Sequence, residues 1–198
     1  MTIQNEIQPM IDENPYVSGQ ATRDNILESS MCVLYASQES MQHIMDRHAD
    51  KYAPGSLFTL PITKFYAELE DIIVEEPTEV DAREMSKWLE VDLGFTIGQM
   101  GVAHADPSQV QVMEDYTMPG GRMEKVKIAP GEREDTSLVS VITAKIGELQ
   151  DGRDVLSLVT MFPGANSING VEMPHDRTSF ASAGFYFVLP MDSPAFGD

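Results

Sequence analysis

The clearest hydrophobic pattern in the chain is a pair of apolar, β-branched runs on either side of Asp151-Gly152. An Asp-Gly pair between such runs is typical of a hairpin with a type I′ turn, because both central residues of that turn need a positive φ. The pattern therefore predicts that residues 138–146 and 155–162 are paired strands. Their apolar content is too continuous for strands with one solvated face, so we expect the hairpin in the middle of a sheet, covered by helices.

Further runs with strand character follow Gly94 and are separated by turn signals, of which Pro130-Gly131 is one. Before Gly94, the apolar run 31–36 is predicted as a short strand or buried connector, and 57–62 as extended chain. The strands predicted after Gly94, besides the hairpin, are 95–104, 109–117, 122–128 and 179–189.

The segments before residue 92 carry helix signals. Ser37 is a suitable N-cap, and apolar side chains over 62–73 follow one stripe with helical spacing. The helices predicted in this part of the chain are 22–30 after Thr22 or Asp24, 38–51 after Ser37, 63–73, and 80–90.

Residues 1–20 show no sustained period and are predicted to form an irregular N-terminal arm. Helices followed by strands favour the α+β class, with N-terminal helices packed on a C-terminal antiparallel β-sheet of about five to six strands. A chain of 198 residues is long enough for one well-buried domain. We expect a single domain over 21–198, helical to about residue 92 and sheet from about residue 95.

The charge balance is strongly acidic, with 32 Asp and Glu against 13 Lys and Arg and a net charge of −19. This charge opposes approach to nucleic-acid phosphates and to anionic membranes. The chain has no apolar run of roughly 18 residues and no secretory signal at its N-terminus, so we expect no membrane association and a cytoplasmic location. Cys32, the single cysteine, is predicted to be a small buried hydrophobe.

Candidate chemistry lies in the helix predicted after Ser37. At about 100° per residue, His43 and Arg47 share a face, whereas His48 lies about 140° from His43. Imidazole and guanidinium groups are suited to general acid–base chemistry with anion stabilisation. The alternative is structural, since Arg47 and His48 near a helix C-terminus complement the dipole and Arg47 is able to pair with Asp50.

The run HIMDRH at 43–48, followed by Phe58 and by VTMFPG at 159–164, resembles the barnase, EndoU, colicin and RelE-like nuclease superfamily in its phage-associated and polymorphic-toxin branch. The resemblance covers roughly 38–189. It implies a cleft between helix and sheet in which His or Arg acts on the 2′-hydroxyl and the scissile phosphate of RNA. Matched onto this chain, His43 or His48 is the general acid or base of a metal-independent cleavage, Arg47 holds phosphate, and Thr160 positions it.

A second cluster, His175 with Arg177, is predicted to meet Thr160 if 179–189 pairs beside 155–162; the alternative is an ordinary turn with His175 in solvent. Zinc, calcium and phosphate-loop motifs are absent from the sequence, so no metal or cofactor is expected.

The rival hypothesis is a non-enzymatic acidic binding protein. Carboxylates on helical scaffolding imitate the charge spacing of a nucleic-acid backbone, or present an anionic face to a basic protein partner such as a nucleic-acid-handling defence enzyme. The alternative is that the acids only keep the chain soluble. The residues of this predicted face are Glu68, Glu70, Asp71, Glu75, Glu76, Glu79, Asp81 and Glu84.

Overall fold

The structure, a computed structural model, describes residues 2–30, 32–49, 55–62, 86–103, 106–118, 121–165, 171–173 and 185–193. Within these ranges the chain forms two α-helices, α1 (Ile3–Glu13) and α2 (Gln38–His48). The same ranges contain the strands β1 (Ile26–Glu28), β2 (Cys32–Tyr35), β3 (Leu57–Phe58), β4 (Ser86–Asp92), β5 (Gly98–Ala103), β6 (Gln111–Thr117), β7 (Met123–Thr136), β8 (Leu138–Glu148), β9 (Asp154–Pro163), β10 (Val171–Met173) and β11 (Phe185–Pro190).

These strands form two sheets. Sheet A has the order β1-β2-β9-β8-β4, and all its neighbours are antiparallel except the parallel pair β2 and β9. Sheet B has the order β10-β11-β7-β5-β3, with β6 also paired to β7. The predicted α+β class with mainly antiparallel strands is confirmed. The strands are divided between two sheets, where one was predicted.

The predicted central hairpin is confirmed, since β8 and β9 pair in the middle of sheet A. Its turn differs from the predicted type I′. Gly152 has φ 89°, but Asp151 does not have a positive φ, and the Gly152 N–H donates to the Leu149 carbonyl at 3.0 Å. This is the geometry of a type I turn followed by a glycine bulge, which also matches the twist of the strands.

Sheet A is buried on both faces, which explains its continuous apolar runs. On one face, Ile7 and Ile11 of α1 pack with Val33, Tyr35 and Val155. The alternate residues of the same strands belong to a second core cluster that also includes Ile44 of α2. The members of this second cluster that come from sheet A are Cys32, Leu34, Val91, Val139, Val141, Leu156, Leu158 and Met161.

The predicted irregular arm is wrong over residues 3–13, which form α1. Ile3, Ile7 and Ile11 follow at four-residue intervals, and Ile7 and Ile11 are fully buried against sheet A. Pro9 lies inside the helix and disguises the pattern in the sequence. Gly147 of β8 leaves room for Met10, because a side chain at that position would collide with the Met10 sulfur.

Two other predictions are corrected near the edges of sheet A. The predicted helix 22–30 is a short 3-10 turn at 23–25 followed by β1, which pairs with β2. The last five residues of the predicted helix 80–90 belong to β4. The part of the chain predicted to be helical up to about residue 92 therefore ends in a strand. Val91 is buried opposite Val139 and Glu90 is exposed, the alternation of a strand, and pairing with β8 decides the conformation.

Pro130-Gly131 does not end a strand as predicted, because β7 continues to Thr136. Within the described residues, the pairing of β7 with β5 runs from Thr136 to Gly131. The pairing of β7 with β6 on the same edge starts at Ile128. Pro130 therefore lies between the registers of these two partners on one edge of β7, a position that tolerates a residue without an N–H, and its register partner on the other edge is Tyr186 of β11.

The helices predicted over 63–73 and 80–85 lie outside the described residues. Among the residues that are described, no helix combines the length and apolar character needed to cross a membrane.

Candidate functional site

A cleft of about 550 Å³ opens beside α2 on sheet A. Four segments contribute its walls, namely the loop 14–18 after α1, the first two turns of α2, residues 144–146 of β8 and residues 157–159 of β9. All four contribute residues that belong to the two core clusters or pack against them, so the walls of the cleft are anchored in the core.

The first turns of α2 supply the acid–base groups of the cleft. Ser37 is the N-cap, as predicted, and its side chain accepts a hydrogen bond from the Ser40 N–H at 3.0 Å. Glu39 and His43 are four residues apart and share one face of the helix. Both side chains are solvent-exposed and both line the cleft.

The loop 14–18 is tied to the frame by two hydroxyl groups. The Tyr35 hydroxyl donates to the Ser18 carbonyl at 2.9 Å, and burial raises the pKa of Tyr35, which keeps that proton in place. The Ser18 hydroxyl donates to Glu39 Oε2 at 3.0 Å. This bond orients the Glu39 carboxylate, whose oxygen is the acceptor.

Lys145 is the cation on the sheet side of the cleft. Its Nζ lies 2.5 Å from Asp154 Oδ1 and 3.6 Å from Glu148 Oε2. The hydrogen bond to Asp154 raises the pKa of Lys145, so the ammonium group remains protonated. β9 carries a bulge at Val159, since Ile142 pairs with Thr160 and Thr143 with Leu158, and this bulge brings Val159 into the cleft wall.

The carboxylate, imidazole and ammonium groups that line this cleft are the components of side-chain acid–base catalysis on an anionic substrate. Among the described residues, no group of three or more His, Cys, Asp or Glu side chains is placed to hold a metal ion.

His48 lies outside the cleft in an apolar environment. Its Nδ1–H donates to the Ser56 carbonyl at 2.9 Å, and its ring packs against Phe58 and Phe162, with ring centroids 6.4 Å and 5.8 Å away. Burial lowers the pKa of His48, and the nearby His43 and Arg47 lower it further against the opposing effect of the Ser56 hydrogen bond. This environment favours a neutral, structural histidine.

The half-buried position of His48 predicts a pH dependence of stability. In the unfolded chain its pKa returns to about 6.5, so between that pH and the lower folded pKa the unfolded state binds more protons. The free energy of unfolding should therefore fall as the pH drops below about 6.5. Urea unfolding from pH 7.5 to 5 should show a steeper fall for the wild type than for His48→Gln, and equal slopes would contradict this assignment.

The other predicted site residues are placed as follows. Arg47 is exposed one turn beyond His43, outside the cleft lining. Thr160 is half-buried in β9, pairs with Ile142, and also does not line the cleft. His175, Arg177 and the eight acids of the predicted acidic face lie outside the described residues.

Comparisons with protein families, with curated proteins and with solved structures find no match to this chain. The function is therefore inferred from the chemistry of the cleft.

Two residues of the cleft were missed in the sequence. Glu39 precedes His43 by four positions, so helical spacing alone would have placed the two side chains together. Lys145 carried no such signal, because its approach to α2 depends on how β8 pairs with β9.

Proposed function

We propose that this protein cleaves RNA in the cleft beside α2, with Glu39 as the general base and His43 as the general acid. The observation that carries the proposal is that both side chains line one open cleft together with Lys145. The resemblance of the 43–48 run to RNA-cleaving domains agrees with this choice of substrate.

The reaction needs only side-chain groups. The Glu39 carboxylate accepts the proton of a ribose 2′-hydroxyl, and the 2′-oxygen attacks the adjacent phosphorus. The bond from phosphorus to the 5′-oxygen of the next nucleotide breaks, and the His43 imidazolium donates its proton to that leaving oxygen. The products are a 2′,3′-cyclic phosphate and a free 5′-hydroxyl, and proton exchange with water restores both residues.

Neighbouring groups support these two roles. The Ser18 hydroxyl, 3.0 Å from Glu39 Oε2, holds the base in orientation. Lys145, which is paired with Asp154 and Glu148, is the cationic side chain at the sheet side of the cleft and is assigned to the phosphate oxygens on which charge develops. Arg47 is exposed one turn beyond His43 and is assigned to a phosphate of the RNA chain that extends past the cleft. In this proposal His48 and Thr160 have no direct part.

The net charge of −19 supports a second candidate, an acidic protein that binds a basic partner. The acids assigned to that face lie outside the described residues, so its support comes from charge alone. RNA cleavage is the stronger proposal because it assigns a role to the groups that the fold brings together.

The proposed mechanism requires the 2′-hydroxyl at the cleaved linkage. In a short RNA with one ribose replaced by 2′-deoxyribose, we expect cleavage at every accessible linkage except the one after the deoxyribose, with EDTA present throughout. Gel separation of end-labelled RNA measures this. Cleavage at the deoxy linkage would contradict the mechanism, and intact RNA would leave the acidic binding role as the remaining candidate.

A further inference from the structure

The loop 14–18 presents a tyrosine ring to solvent at the cleft. The Tyr16 side chain is 94% exposed, yet it is one of the residues that line the cleft. Val159, raised on the β9 bulge and 47% exposed, also lines it. The other large hydrophobic side chains that are substantially exposed among the described residues, such as Met45 and Phe95, lie away from this lining.

The backbone that carries Tyr16 is well fixed. The Tyr16 N–H donates to Asn14 Oδ1 at 2.9 Å. Beyond the loop, Gln8 Nε2 donates to the Gly19 carbonyl at 3.2 Å, and Gln8 Oε1 accepts from the Ala21 N–H at 2.8 Å. Gly19 has φ 113°, and a side chain there would collide with the Tyr35 hydroxyl that holds Ser18. An aromatic ring on an anchored loop loses little conformational entropy when it binds a ligand.

We infer that Tyr16 is a base-binding residue of the cleft, on whose ring a nucleobase of the substrate stacks, with Val159 as a second apolar contact. The inference rests on the proposed function and deepens it. The polar groups Glu39, His43 and Lys145 take the ribose and phosphate, which leaves the apolar rim for the planar base. Every nucleobase offers a π-face to an aromatic side chain, so this contact tolerates different bases.

Calorimetric titration of the intact protein with adenosine 3′-monophosphate and with ribose 5-phosphate tests the inference. Base stacking on an aromatic side chain contributes roughly tenfold or more in affinity. We therefore expect the nucleotide to bind at least about tenfold more tightly than the sugar phosphate. The Tyr16→Ala variant should bind the nucleotide about tenfold more weakly than the wild type, whereas Tyr16→Phe should bind it with the wild-type affinity. Because Tyr16 is almost fully exposed, neither variant should unfold.

Phe95→Ala is the matched control, since it removes an exposed aromatic ring that does not line the cleft; it should bind the nucleotide like the wild type. Equal affinity for both probes, an unchanged Tyr16→Ala variant, or no nucleotide binding at millimolar concentration would each overturn the inference. Tyr16-dependent nucleotide binding without RNA cleavage would refute only the proposed function. RNA cleavage whose rate is insensitive to Tyr16→Ala would refute only the stacking role.

Discussion

Replacement of His43 by alanine should lower RNA cleavage by about 100- to 10,000-fold, the range over which a positioned general acid accelerates proton transfer. His43 is exposed and lines the cleft, so the variant should retain the fold while the leaving 5′-oxygen loses its proton donor. The rate constant of cleavage of an end-labelled RNA measures the effect, and thermal unfolding followed by circular dichroism confirms the fold.

The neighbouring Gln42 provides the control. It is exposed on the same helix, and its Nε2 donates to Asp46 Oδ1 at 2.7 Å, outside the cleft lining. Gln42→Ala should therefore cleave RNA at the wild-type rate. A His43→Ala variant within threefold of the wild type would remove His43 from the mechanism.

Replacement of Ile44 by alanine should cost about 2–5 kcal/mol in the free energy of unfolding, because a fully buried aliphatic side chain leaves a cavity. Ile44 is 0% exposed and is the α2 residue that enters the core of sheet A. In a chain of this length the loss corresponds to a fall in melting temperature of roughly 4–20 °C. Urea unfolding measures the change in the free energy of unfolding. RNA cleavage should also fall, because His43 and Glu39 leave the cleft in molecules whose α2 has detached from sheet A.

Met45 is the matched control for Ile44, since it is the next residue of α2 but is 46% exposed. Met45→Ala should change stability by less than about 1 kcal/mol. Equal stability losses in the two variants would contradict the orientation of α2 on the sheet.

Local signals explain which parts of the fold were predictable. The Asp151-Gly152 turn and the apolar runs beside it are neighbours in sequence, and Ser37 marks the start of α2 directly. The helical pattern misleads over β4, because the conformation of this strand is decided by pairing with β8, about 50 residues away in sequence. α1 was missed because Pro9 and polar residues surround a stripe of only a few apolar positions.

The candidate site was partly predictable for the same reason. His43 stood out by residue type and by its place on a helix. The partial burial of His48 is not predictable from its position on the helix, because Ser56, Phe58 and Phe162 contact its ring only in the folded chain. Tyr16 and Lys145 are 129 positions apart in sequence and meet at one cleft through the packing of α1 and α2 on sheet A.

Mass spectrometry of the products from a short RNA of defined sequence tests the central claim most directly. Attack by the 2′-oxygen, with Glu39 as base and His43 as acid, predicts fragments that end in a 2′,3′-cyclic phosphate, partnered by fragments that begin with a 5′-hydroxyl. Fragments with a 5′-phosphate and a 3′-hydroxyl, or RNA recovered at its full mass, would contradict it.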